Sequence, residues 1–264
     1  MSRDLTGKVI MITGASSGLG GALAKECSKL GASIILVGRN EERLAAVVQE
    51  CGMLGAGEVR AYPFDLTRTS AIPGFIEDLE KEWGTIDALI NNAGFGLFER
   101  LDQTPEKTVA TMFEVNVLAL ISLTKAVIPV MQKHRNGHVI NIASQAGKLA
   151  TPKSSIYSAT KHAVIGFSNS MRMEVADEGI SITTVNPGPI NTSFFEHADS
   201  SGTYAASVKR WMLDSDEVAA KTVKVLFTKR RELNLPRWMS VISRIHALFP
   251  RLVESVGKKG FNQK

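Results

Sequence analysis

Val9-Ile10-Met11-Ile12-Thr13-Gly14-Ala15-Ser16-Ser17-Gly18-Leu19-Gly20 decides how this chain folds. Its first four residues are an unbroken apolar run, which reads as a short strand buried on both faces. A glycine-rich turn follows at once. Over 19–30 apolar residues then recur at helical spacing, and Gly31 stops them. Glycine in such a turn lets the backbone bend sharply and approach a pyrophosphate, whose charge a helix N-terminus favours. Gly14, Gly18 and Gly20 are spaced Gly-x-x-x-Gly-x-Gly, looser than the common dinucleotide fingerprint. An ordinary glycine loop is the alternative, and placement directly after a buried strand weighs against it.

The same alternation runs along the chain. Further strands are predicted over 33–37, 59–64, 86–90, 138–142 and 180–185, with a last one over 231–235. Helices are predicted over 41–53, over 70–83 with Pro73 in the first turn, and over 156–177, closed by Gly179. A long helix starts with Thr104 as N-cap and Pro105 at the first helical position, and runs to about residue 133. Another covers 215–227. Strands apolar on both faces, alternating with helices, predict an α/β class: a single-domain Rossmann fold whose doubly wound parallel sheet carries helices on both faces. No Pro/Gly/Ser linker or short repeat divides it, so residues 1–236 form one domain and 237–264 an extension.

Composition narrows the class. The chain has 264 residues, 44% hydrophobic and 22% charged, enough for a sizeable core. Cys27 and Cys51 both fall in helical stretches, so no disulfide framework is expected. The N-terminus does not resemble a signal peptide. No apolar run reads as a membrane span; 115–130 comes closest and is interrupted by Asn116, Ser122, Thr124 and Lys125. A cytoplasmic enzyme is the expectation. Net charge is +5, and from Arg237 onward six basic residues face the single acid Glu254, so 1–236 balances at 25 basic and 25 acidic. A neutral body with a basic tail argues against nucleic-acid binding.

Tyr157 and Lys161 lie four apart and so share a helix face. A free tyrosine titrates near ~10, too high for easy proton exchange at neutral pH. A nearby ammonium favours the phenolate and lowers that value, as would an oxidised nicotinamide ring. The pair can then give a proton to a carbonyl oxygen or take one from an alcohol. Ser144, at the end of the fifth strand, can hydrogen-bond the reacting oxygen. Such a Tyr and Lys pair arises often by chance; its company with Ser144 and the glycine turn gives it weight. Asn91-Asn92-Ala93-Gly94 follows the fourth strand, at the strand end where ligands bind in such sheets. The second strand ends Val37-Gly38-Arg39, with glycine where an NAD site usually places an acid. Arg39 can pair with a 2′-phosphate, which favours NADP(H); a solvated surface arginine is the alternative.

These motifs resemble those of the classical short-chain dehydrogenases/reductases, in order and spacing, over roughly residues 5–236. Thr13-Gly14, Asn91-Asn92-Ala93-Gly94, Ser144, Tyr157 with Lys161, and Pro187-Gly188 all match. The pattern is similar to a branch containing 11β-hydroxysteroid dehydrogenase-like and orphan bacterial reductases. The resemblance implies that Tyr157 is the acid/base, Lys161 binds the nicotinamide ribose and lowers the tyrosine pKa, and Ser144 orients the substrate. It implies that Asn116 completes a tetrad, its backbone in a helix irregularity holding a water that links Lys161 to solvent. Cofactor contacts are implied for Ser16, Ser17 and Leu19 beside the three glycines, and for Asp65 and Leu66 near the adenine. They are implied also for Asn92, Ala93 and Gly94, for Pro187 and Gly188, and for Ile190 and Thr192 near the carboxamide and phosphates. No metal is implied. Homodimers or homotetramers through two long central helices are implied as well.

The expected substrate loop, 193–214, contains Phe194, Phe195, Tyr204, Trp211 and Met212; Phe95, Leu97 and Phe98 follow the asparagine turn. If several face the site, the substrate is an apolar carbonyl or alcohol. Ordinary packing is the other reading. In the tail, Trp238, Val241, Ile242, Ile245, Leu248, Phe249, Leu252, Val253 and Val256 follow helical spacing, and Arg237, Arg244, Arg251 and Lys258 recur every seven residues. Pro250 must divide it into two helices. The tail can cover the pocket, pack on a subunit, or lie on an anionic membrane. A protein that senses NADP(H) without turnover is the non-enzymatic alternative.

Overall fold

The seven strands are β1 (Val9–Thr13), β2 (Ser33–Gly38), β3 (Val59–Pro63), β4 (Ala88–Asn91), β5 (Gly137–Ile142), β6 (Ile180–Pro187) and β7 (Glu232–Leu235). They pair in the order β3-β2-β1-β4-β5-β6-β7, every pair parallel. The structure is a computed structural model that describes residues 4–199 and 202–261, with side chains to 255. Expectations placed on Val256, Lys258, Lys259 and Lys264 lie outside the residues described in full, as do Ser200 and Ser201 of the substrate loop.

Strand side chains alternate between the two faces, as the pleat requires. Ile10, Ile12, Ile34 and Leu36 enter one core layer, whereas Val9, Met11, Ile35 and Val37 enter the other. The first layer is closed by α1 (Gly18–Ser28) and α2 (Glu41–Met53). The second is closed by α3 (Ile72–Trp83) and by the long helix that ends at His134.

That long helix departs from its expectation in two ways. It begins at Glu106 with Pro105 as the N-cap, while the Thr104 hydroxyl donates to the Arg100 carbonyl instead of capping it. It is also broken internally: α4 (Glu106–Phe113) and α5 (Ala119–His134) flank a π-helical turn, Glu114–Leu118. Over Glu106–His134 it is long and apolar enough to cross a bilayer, contrary to the sequence reading, but its apolar window is half buried inside the fold. Leu123, Val127 and Met131 lie in the second core layer.

The remaining helices are α6 (Ser155–Glu174), α7 (Phe194–Ala198), α8 (Thr203–Val208) and α9 (Ser215–Val223), then α10 (Arg237–Leu248) and α11 (Pro250–Phe261). α9 packs on α1, capped by Asp214, whose carboxylate accepts from Asp216 and Glu217 N–H. The tail divides before Pro250, as expected. In this topology β1 is paired to β2 on one side and β4 on the other. Strand order reverses there, which opens a crevice beyond the C-terminal ends of β1 and β4.

Candidate active site

The glycine turn after β1 lines that crevice. Gly14 and Gly18 have φ of +63° and +53°, a region that favours glycine. A Cβ on Gly14 would lie 2.8 Å from Ala93 Cα, and one on Gly20 would lie 2.1 Å from the Gly14 carbonyl oxygen. The turn is therefore packed directly against the Asn92-Ala93 loop. Asn92 Nδ2 donates to the carbonyls of Thr13 (3.0 Å) and Gly14 (3.3 Å), and Thr13 Oγ1 accepts from Asn92 and Ala93 N–H, both at 3.0 Å. Asn92, expected to touch a cofactor, uses its amide to hold the turn in place. The buried Thr13 hydroxyl is the other half of that clasp.

Ser17 stands at the N-cap of α1 without a side-chain capping bond, and the first turn holds no acid. Its first N–H groups and the positive end of its dipole suit a pyrophosphate. Thr192 closes over the turn, its Cβ and Cγ2 3.4 Å from where a Gly18 Cβ would be. Ile190 pairs with Leu213 and anchors the start of the substrate loop. At the end of β2, a Cβ on Gly38 would lie 3.5 Å from Ser16 Oγ. Arg39 beside it is exposed. Asp65 is exposed on the same rim; its carboxylate accepts from Thr67 N–H at 3.1 Å, which holds its pKa below the usual value, with Arg39 a lesser cause. Leu66 is buried in the second core layer. The residues present thus fit a dinucleotide: glycines where backbone must approach, an uncapped helix end and a cation instead of an acid at the β2 tip.

The four expected catalytic residues converge at the C-terminal ends of β4 and β5. α6 places Tyr157 and Lys161 one turn apart. Lys161 is buried, and its Nζ donates to the Ile142 carbonyl at 2.8 Å. Burial lowers its pKa to about 8. Ser144 follows β5; its Oγ accepts from Ala146 N–H at 3.0 Å and hydrogen-bonds the Tyr157 phenol. Pro187, at the end of β6, presents its carbonyl 3.5 Å from that Oγ. Burial pushes Tyr157 up to about 12, and the Ser144 hydrogen bond opposes it. The Ser144 hydrogen bond lowers the tyrosine pKa, and the Lys161 ammonium, held by the Ile142 carbonyl, stands 5.8 Å from the ring centre.

Asn116 lies in the π-helical turn, the irregularity that the resemblance implied. Its Oδ1 accepts from Phe95 N–H (3.0 Å), and its Nδ2 donates to the Phe95 carbonyl (2.8 Å) and to Thr160 Oγ1 (3.2 Å). A Cβ on Gly94 would meet Asn116 Oδ1 at 3.0 Å and Lys161 Nζ at 3.6 Å. So Gly94, Asn116 and Lys161 form one packed unit behind the tyrosine.

Aromatic rings cover the other side. Phe98 lies 5.9 Å from Tyr157 and 5.0 Å from Tyr204, and Phe194 lies 5.8 Å from Tyr157 and 5.6 Å from Phe195. Gly96 permits this closeness: a Cβ there would lie 2.9 Å from Phe194 Cζ and 3.0 Å from Tyr157 Cδ2. Gly96 carried no signal in the sequence, because only the fold brings these rings to it. Phe98 N–H donates to the Ala198 carbonyl at 2.7 Å, tying the asparagine-turn loop to α7.

Comparison with known proteins shows the family. Residues 8–201 match the short chain dehydrogenase family. An uncharacterised oxidoreductase of Staphylococcus epidermidis is 35% identical over 192 residues, 73% of this chain and 82% of that one. A short-chain dehydrogenase/reductase from Burkholderia phymatum, solved with NAD, superposes with a TM-score of 0.85 at 25% identity, covering 95% of this chain and 96% of that chain. A metagenomic short-chain oxidoreductase solved with NADP gives 0.74 at 29% identity, over 87% and 97%. The parallel seven-stranded sheet, the glycine turn against the asparagine loop and the family match over most of the chain make this protein a member of the short-chain dehydrogenase/reductase family of oxidoreductases.

Proposed function

We propose that this protein is an NADP(H)-dependent oxidoreductase that interconverts an apolar carbonyl compound and its alcohol, with Tyr157 as acid/base. The observation that carries the reading is the convergence of Tyr157, Ser144, Lys161 and Asn116 at the strand ends beside the glycine turn. Both a NAD and an NADP complex occur among the solved structures it resembles. Gly38 followed by Arg39 favours the phosphorylated form, because a guanidinium pairs with a 2′-phosphate and no acid stands there to repel it.

When bound, the nicotinamide supplies or accepts the hydride. Tyr157 gives its phenolic proton to the carbonyl oxygen in reduction and takes it back in oxidation. The Ser144 hydroxyl stabilises the phenolate and can hold the substrate oxygen. Lys161 adds positive charge behind the tyrosine, held by the Ile142 carbonyl. Asn116 fixes the Phe95 backbone and the π-helical turn, so that Lys161 and the substrate side keep their relative positions. Phe98, Phe194 and Phe195 exclude water and select an apolar substrate.

The test is turnover of a panel of apolar ketones, aldehydes and diketones with NADPH and with NADH, beside fluorescence titration of NADPH. The expected result is turnover with kcat/KM roughly tenfold or more higher for NADPH, the discrimination that a charge-assisted hydrogen bond supplies. Tight NADPH binding with no turnover on any compound would favour the sensing reading instead.

A further inference from the structure

α10 is turned inside out. An amphipathic helix on a globular protein normally lays its apolar stripe on the core. Here the buried residue of α10 is Ser243, and Met239 is half-buried with its Sδ 3.0 Å from where a Gly188 Cβ would be. The apolar stripe faces outward. Trp238, Val241 and Ile245 are exposed, and Leu248, Phe249 and Leu252, around the corner into α11, are 74%, 59% and 60% exposed. Trp211 of the substrate loop extends the patch: it is exposed and meets Trp238 edge-on at 5.8 Å.

The charges around this patch are mostly basic. Arg237, Arg244 and Arg251 are exposed along the two helices, and Lys209 and Arg210 are exposed beside Trp211, with the Arg210 guanidinium 4.9 Å from the Trp211 ring centre. The tail's acid, Glu254, is turned to His246 at 3.3 Å. An apolar stripe with tryptophans at its edge and arginines flanking it matches the interface of an anionic bilayer: apolar side chains enter the acyl boundary, indoles sit at headgroup level and guanidinium groups meet phosphate. Protein interfaces are enriched in tryptophan and arginine as well; what favours a bilayer here is the row of arginines along both helices, which an anionic surface attracts.

We infer that α10, the corner at Phe249 and Trp211 form a docking surface for an anionic phospholipid membrane. It lies beside the site, since α10 packs on β7 and Met239 rests against Gly188. A docked molecule therefore presents its substrate loop to the bilayer, the reservoir of apolar carbonyl compounds. Docking is read without turnover, so it stands or falls apart from the catalytic reading.

The experiment is sedimentation of the full chain with vesicles of phosphatidylcholine alone and with added phosphatidylserine, at low and high salt. Two variants accompany it, Leu248→Asp/Phe249→Asp and Arg244→Glu/Arg251→Glu, each with thermal unfolding and sedimentation equilibrium. These positions are exposed, so unfolding should match the parent. The expected result is salt-sensitive binding to phosphatidylserine vesicles, weakened roughly fivefold or more per arginine changed and abolished by the aspartates. No binding to either vesicle overturns the inference, as does binding that both variants retain. A dimer that forms without vesicles and is lost in the aspartate variant also overturns it, because a second copy then covers the face.

Discussion

Lys161 Nζ donates to the Ile142 carbonyl at 2.8 Å and stands 5.8 Å from the centre of the Tyr157 ring. The ammonium is thus buried with one backbone partner, which accounts for its lowered pKa of about 8. The sign of the linkage is definite. Between about pH 8 and 10.5 the unfolded chain binds a proton that the folded chain lacks, so stability rises with pH across that window. Below about 8 both forms are protonated and the burial penalty is constant. Lys161→Met should remove this rise, on the order of 3 kcal/mol, in urea denaturation at a series of pH values. The same variant should lose roughly 10²–10⁴-fold in turnover. An unchanged pH slope would mean that Lys161 does not titrate as the buried site requires.

Ser144→Ala should act through Tyr157. The hydroxyl is the group that opposes burial at the phenol, whose pKa is pushed up to about 12. Without it the phenolate is harder to form. In alcohol oxidation, the rise of rate with pH should move to higher pH and kcat should fall about 10²–10³-fold. NADPH affinity measured by fluorescence should stay close to the parent value. A loss confined to NADPH binding, with an unmoved pH profile, would place Ser144 outside the chemistry.

Arg39→Ala tests the cofactor. Arg39 is exposed and caps no element, so its loss should leave the melting temperature unchanged. KM for NADPH should rise about 10–100-fold, the scale of a lost charge-assisted contact, whereas KM for NADH should barely move. Equal effects on both cofactors would place the arginine on something other than the 2′-phosphate.

The central strands were legible because burial on both faces leaves apolar runs such as 9–12 and 34–37; the half-buried edge strands β3 and β7 were legible from their place in the alternation of strands and helices. Periodicity located the long helix but not its π-helical turn: Glu114–Leu118 carries no breaker, and only the family resemblance pointed to an irregularity at Asn116. Tyr157 and Lys161 were legible as neighbours because helical spacing is local. Their electrostatics were not, since Ile142 and Ser144 reach them from another strand end. The tail's two helices were also legible from Pro250. Which face they turn outward was not, because amphipathic spacing fixes a stripe but not what the stripe meets.

Two glycines in helices should answer oppositely to the same substitution. Gly20 lies in the first turn of α1, where an added Cβ would lie 2.1 Å from the Gly14 carbonyl oxygen and 2.7 Å from Asn92 Nδ2. The obstacle is backbone held by the Thr13–Asn92 clasp, so it cannot yield cheaply. Gly20→Ala should destabilise by about 1–3 kcal/mol or more and weaken NADPH binding, because the turn must open to admit the methyl. Gly74 lies in α3, exposed, with nothing within 4 Å of an added Cβ. Gly74→Ala should stabilise by about 0.5–1 kcal/mol through backbone entropy and leave NADPH affinity alone. Urea denaturation and fluorescence titration of the pair separate the two causes. If both alanines stabilise, the turn is looser than its contact with Asn92 indicates, and glycine there serves the ligand alone.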